Sequence, residues 1–204
     1  MLLQDIIASY RLARQGSVKS PDQVEYELHW EGNCIKLCEA INSRTYQPTA
    51  YSFIVTYPKP REIFASDFST RVLHHYLHER IVPLLENRLS KHTFNNRKGM
   101  GTSACQNAVI SDMYEVSNGY TEDAWIIKMD LSGCFPNINQ DIAFRQLEAV
   151  IKEDYHGRDK DDMLYILRTC VFSYPTLHAN YIGDRDLRKL IEPEKSITTK
   201  PLGV

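Results

Sequence analysis

The sequence predicts a helix-rich α+β fold with short antiparallel strands, on three observations. Apolar residues recur at helical spacing in several stretches, beginning with Leu3, Ile6, Ile7, Tyr10 and Ala13. Two β-rich runs, Tyr51–Tyr57 and Arg61–Ala65, lie close together on either side of Pro58-Lys59-Pro60. Helices and strands do not alternate as βαβ units, which argues against a parallel α/β sheet.

In order, the first helix is expected over residues 2–14, with a break from Gly16 to Pro21. A second runs from about Gln23 to Ile41, bent or interrupted near Gly32. The two strands follow Tyr46-Gln47-Pro48. Asp67 or Ser69 then caps a helix from Thr70 to Arg88, burying Val72, Leu73, Tyr76, Leu77, Ile81, Leu84 and Leu85, with Pro83 expected to kink or split it. Phe94 to Gly101 reads as a basic loop, and Thr102 or Ser103 opens a helix that Asn118-Gly119 ends. Trp125–Asp130 reads as a strand, Gly133–Pro136 as a tight turn, and Gln140–Lys152 and Asp161–Val171 as helices. The last twenty residues read as loop or frayed strand.

A chain of 204 residues suffices for one sizeable domain or two small subdomains. With 43% hydrophobic and 25% charged residues, composition argues against disorder and low complexity. No apolar run is long enough to cross a bilayer. The start, Met1-Leu2-Leu3-Gln4-Asp5, lacks the basic region of a signal peptide. The five cysteines form no CxxC pair, so Cys34 and Cys38 are expected as packed thiols and the location as cytoplasmic. Net charge is −2, but residues 57–101 carry +4 and the rest −6. A locally basic segment in an acidic chain suits a groove that meets phosphate on one side.

The sharpest local feature is Ile126-Ile127-Lys128-Met129-Asp130-Leu131-Ser132-Gly133-Cys134-Phe135-Pro136-Asn137-Ile138. An acid at a strand end, followed by small residues, can offer its oxygens to a hard divalent cation. It can equally cap the next turn. Two-metal phosphoryl transfer needs several such acids at one point. His74 and His78 share a helical face, but two histidines without a third ligand make packing or RNA contact the better expectation.

The stretch Trp125–Ile138 resembles the first palm motif of bacterial reverse transcriptases. Tyr46-Gln47-Pro48, Pro58-Lys59-Pro60-Arg61-Glu62-Ile63 and Arg71-Val72-Leu73-His74-His75 resemble, in the same order, the start of that family's fingers, and Arg97-Lys98-Gly99-Met100-Gly101-Thr102 its second fingers motif. The resemblance covers roughly residues 40–150, and its flavour is that of retron, group II intron or diversity-generating retroelement enzymes. It implies fingers and a partial palm of a right-hand polymerase: a helical segment at 1–45, fingers at 46–120 and partial palm at 121–204.

The implied activity is RNA-directed DNA polymerisation on a primed RNA template, using Mg²⁺ and deoxynucleoside triphosphates. Asp130 matches the catalytic metal ligand, and the Leu131 carbonyl a secondary one. Phe135 matches the aromatic gate that excludes a ribose 2′-hydroxyl. Arg61, with Lys59 beside it, matches the cation that reaches the triphosphate. Arg71, Arg97 and Lys98 are matched to template or primer backbone contacts; Phe94 and Tyr57 are aromatic platforms or packing.

The family's Tyr-x-Asp-Asp turn is absent. Asp159-Lys160-Asp161-Asp162 is expected as a solvated helix start, and Gly183-Asp184-Arg185-Asp186 as a loop without flanking strands. The chain is therefore expected to be a fragment that does not polymerise alone. It is expected to form a homodimer through exposed apolar palm surface, and the parent to engage an accessory protein. The alternative function is a non-catalytic RNA-binding or phage-defence protein with the same fold.

Overall fold

The computed structural model describes residues 1–16, 18–131, 134, 137–174 and 179–192. The fold is helix-rich α+β, with one small mixed sheet. The chain divides into two compact units, one made of Met1–Leu84 with Gly133–Val204 and the other of Leu85–Ser132.

In the first unit, α1 (Leu3–Ala13), α2 (Pro21–Leu28) and α3 (Trp30–Asn42) come first. Pro21 opens α2, where its missing N–H leaves no bond unmade. The expected interruption falls at His29, whose φ of −130° and ψ of 34° leave the helical region, and Gly32 lies inside α3. The Asn33 side chain donates to the Tyr26 carbonyl at 3.0 Å, adding to the longer bond that the His29 N–H gives the same oxygen at 3.3 Å. Cys34 and Cys38 are buried free thiols.

β1 (Ala50–Val55) and β2 (Arg61–Ser66) pair antiparallel, with Val55 opposite Arg61 and Phe53 opposite Ile63. A third strand, β3 (Ala179–Tyr181), pairs parallel to the other edge of β1. The sheet is therefore mixed, not purely antiparallel. Three residues carry no readable period, so only their pairing with β1 defines β3. It also supplies a strand ahead of Asp184, where none was expected. Beyond it lies a 3-10 helix (Arg185–Leu190), started by Asp184, whose side chain accepts from the Asp186 N–H at 2.9 Å.

α4 (Phe68–Glu86) follows β2. Asp67 caps it, accepting from the Thr70 N–H at 2.9 Å and from the Ser69 hydroxyl at 3.0 Å. Pro83 sits within α4 and does not split it. Val72, Leu73 and Tyr76 are fully buried, as are Ile151 of α6 (Gln140–Asp154) and Met163 and Ile166 of α7 (Lys160–Val171). An aromatic cluster ties the N-terminal helices to α4: Tyr10 stacks on Trp30 at 5.4 Å, and Tyr26 meets Phe68 edge-on at 5.1 Å.

The acid run at the start of α7 corrects the sequence reading in part: Asp161 is exposed, but Asp159 and Asp162 are held by partners within the chain. Asp159 accepts from the hydroxyls of Tyr76 and Tyr155, each at 2.6 Å, and from Arg80 Nε at 2.9 Å. Burial alone would raise its carboxyl, but these donors hold it down at about 2. Asp162 pairs with Arg44 at 2.8 Å and with the Met1 amino group. Both carboxylates serve the core of the first unit.

In the second unit, α5 (Thr102–Val116) has no buried residue, and Gly119 beyond it takes a φ of +70°. The strand expected at Trp125–Asp130 is not formed among the described residues. A strand exists only through a partner's ladder, and no described residue pairs with this run. Of the expected turn at Gly133–Pro136 only Cys134 is among the described residues, and its carbonyl accepts from the Asn137 N–H at 3.1 Å; Phe135 lies outside them.

Candidate nucleic-acid interface

The β1–β2 hairpin presents the first group of candidate residues. Side chains alternate along a strand, so Tyr51, Phe53 and Val55 share one face with their partners Ala65, Ile63 and Arg61. The opposite face carries Ser52, 1% exposed, and belongs to the core. The first face stays open: Arg61 is exposed, Val55 is 37% exposed, and Tyr51 and Phe53 are half-buried. Lys59 stands exposed in the connecting turn beside Tyr57, which is 85% exposed. Sequence reasoning placed Arg61 and Lys59 here but missed the aromatic face. The alternation of Tyr51, Phe53 and Val55 was the available signal.

At the base of that face lies a groove of about 660 Å³, lined by Tyr51, Phe53, Ala65, Arg71 and His74 among others. Arg71 Nη2 donates to Asp22 Oδ2 at 2.9 Å and Ser20 Oγ at 2.7 Å, and the guanidinium lies 5.1 Å from the Phe68 ring centre. Its Nε is buried without a hydrogen-bond partner. Burial raises the Asp22 carboxyl, but the bonds from Ser20 and Arg71 outweigh it and the net shift is downward. Loss of water around His74, with His75 next to it, depresses the His74 imidazole, so it favours the neutral ring.

The second unit holds the basic loop. Arg97 donates from Nε and Nη2 to Glu86 Oε2 at 3.0 and 2.8 Å, and from Nη1 to the carbonyls of Ser90 and Thr93 at 3.1 and 3.0 Å. Its fork is committed to shaping the loop. Lys98, one residue on, is exposed and meets no partner among the described residues. A pocket of about 930 Å³ lies alongside, lined by Phe94, Arg97, Lys98, Met100, Gln106 and Ile110 among others. Phe94 is half-buried and meets His92 edge-on at 6.2 Å. Arg97→Ala is accordingly expected to destabilise this unit by roughly 2 kcal/mol, because it strands a carboxylate and two carbonyls. Lys98→Ala is expected to change stability by no more than about 0.5 kcal/mol. Thermal unfolding of the two variants checks the difference.

Asp130 and Leu131 lie in the irregular run of the second unit, and both are exposed. A carboxylate and a main-chain carbonyl are the oxygen donors Mg²⁺ prefers. They do not by themselves organise two ions, and no group of three metal-binding side chains stands among the described residues. His74, His75 and His78 form no such group either.

No helix among the described residues is long and apolar enough to cross a membrane. Neither protein-family models nor curated proteins give a match to the chain.

Proposed function

We propose that this chain is the fingers and partial palm of an RNA-directed DNA polymerase, in which the β1–β2 hairpin receives the incoming deoxynucleoside triphosphate. The observation that carries the reading is the hairpin itself. Its tip exposes Lys59 and Arg61, and Arg61 shares an open face with Tyr51 and Phe53. A guanidinium fork suits phosphate oxygens, and aromatic rings suit bases of an unpaired template. Lys98 supplies backbone contact from the basic loop. Asp130 and the Leu131 carbonyl hold Mg²⁺ when further carboxylates join them, and Phe135 gates the sugar. Arg71 and Arg97 contribute through the Asp22 and Glu86 pairs they already make, shaping surfaces that the template or primer meets.

Two measurements test this. Arg61→Ala is expected to weaken binding of a deoxynucleoside triphosphate to the chain by about tenfold, the loss of one charge-assisted contact. Unchanged affinity overturns the hairpin assignment. In a protein carrying this chain with the remaining catalytic carboxylates, Asp130→Ala is expected to abolish extension of a primed RNA template. Full extension by that variant sinks the metal role. Binding of primed RNA without any synthesis, by such a protein with Asp130 intact, favours a non-catalytic RNA-binding or defence protein instead.

A further inference from the structure

In the second unit, the run from Trp125 to Leu131 has an unusual combination of properties. Trp125 is 92% exposed, Ile126 71%, Ile127 80%, Met129 87% and Leu131 75%. Its backbone makes no hydrogen bond to any described residue, and no residue in it has a positive φ. Seven consecutive residues, led by the β-favouring Trp125, Ile126 and Ile127, therefore offer main-chain donors and acceptors that no described residue fills, which is the condition for adding a strand from another chain.

The order of charges says which chain. Successive residues of a strand face opposite ways, so a two-fold antiparallel pairing of the run with its own copy must be centred on a residue. Centring on Lys128 sets lysine against lysine, and centring on Asp130 sets aspartate against aspartate; both are disfavoured. Centring on Met129 sets Lys128 opposite the partner's Asp130, twice by symmetry. The same register sets Ile127 opposite the partner's Leu131 and Met129 opposite its own copy, giving one wholly apolar face. In the same unit, α5 leaves Val109, Ile110, Tyr114 and Val116 exposed, further apolar surface for the ribbon to cover.

We propose that the chain self-associates through a two-stranded antiparallel ribbon of residues 127–131, centred on Met129 and fixed in register by reciprocal Lys128–Asp130 pairs. The occupant is a second copy of this chain. The pairing is independent of any polymerase activity, but it engages the Asp130 carboxylate, so a dimer of this kind holds Asp130 away from a metal ion.

Sedimentation velocity of the full chain, without Mg²⁺ or nucleic acid, tests it. The wild type is expected to dimerise with rising concentration. Lys128→Asp and Asp130→Lys, which each set like charges opposite one another, are expected to raise the dissociation constant about tenfold or more. The double swap K128D/D130K is expected to restore the wild-type value. Met129→Lys, at the two-fold, is expected to abolish the dimer. All three positions are exposed, and circular dichroism confirms that the variants fold. A wild type that stays monomeric overturns the proposal. So does a dimer indifferent to the single swaps, or a double swap that stays as weak as they are.

Discussion

Asp159→Asn is expected to lower the stability of the first unit by roughly 3 kcal/mol, a drop of about 10 °C in melting temperature for a chain of this size. The carboxylate is 11% exposed and accepts from three donors on two other segments: Tyr76 and Arg80 of α4, and Tyr155 ahead of α7. Asparagine keeps the shape but removes the charge. Its amide nitrogen also turns a donor toward hydroxyls and a guanidinium that are themselves donors. Arg80 then keeps Asp5, at 3.2 Å, as its one carboxylate partner among the described residues, beside the Tyr76 carbonyl at 3.3 Å. Asp161→Asn, on the exposed side of the same helix start, is expected to change stability by no more than about 0.5 kcal/mol. Thermal denaturation of both variants decides it: equal melting temperatures would remove Asp159 from the hub.

The same hub gives the chain an acid limb with a definite sign. Asp159 titrates at about 2 when folded, below its ordinary 3.8. Its contribution is complete above about pH 4 and is lost as pH falls through the folded value, because the unfolded chain takes the proton first. Between about pH 4 and pH 2, the wild type is expected to lose stability faster than Asp159→Asn, which has no proton to take up. Urea midpoints across that range read the difference directly.

What was legible in the sequence follows from the range over which each signal acts. Local periodicity and punctuation placed α1, the β1–β2 hairpin, α4, α5, α6 and α7, because apolar spacing and Pro or Gly act within a few residues. The Asp67 cap was legible for the same reason. What escaped depends on contacts distant in sequence. β3 meets β1 from well over a hundred residues away, and Asp159 meets Tyr76 and Arg80 across about eighty. A run of acids at a helix start looks alike whether water or a guanidinium faces it. The Trp125–Asp130 run shows the converse failure. Its composition is that of a strand, but a strand also needs a partner, and composition cannot supply one. In the candidate interface, the Lys59 and Arg61 positions were legible from the turn between two strands. The commitment of Arg97 to Glu86 was not, since a cation in a loop reads the same whether paired or exposed.

Phe68→Ala sets these two kinds of apolar residue against each other. Phe68 is 1% exposed and opens α4 directly after β2, where Tyr26 and Tyr10 meet its ring at 5.1 and 6.2 Å. Deleting the ring opens a cavity among side chains from three helices and removes the surface on which Arg71 rests, so a loss of about 4 kcal/mol is expected. Phe68→Leu refills part of the volume without the edge-on ring contacts and is expected to lose about half as much. Trp125→Ala deletes a larger ring but leaves no cavity, because the indole is 92% exposed. Its stability is expected to stay within about 0.5 kcal/mol of wild type when measured at concentrations where the chain is monomeric. A Trp125 variant as unstable as Phe68→Ala in dilute solution would mean that the run is packed within its own chain, and the ribbon would have no surface left to form on.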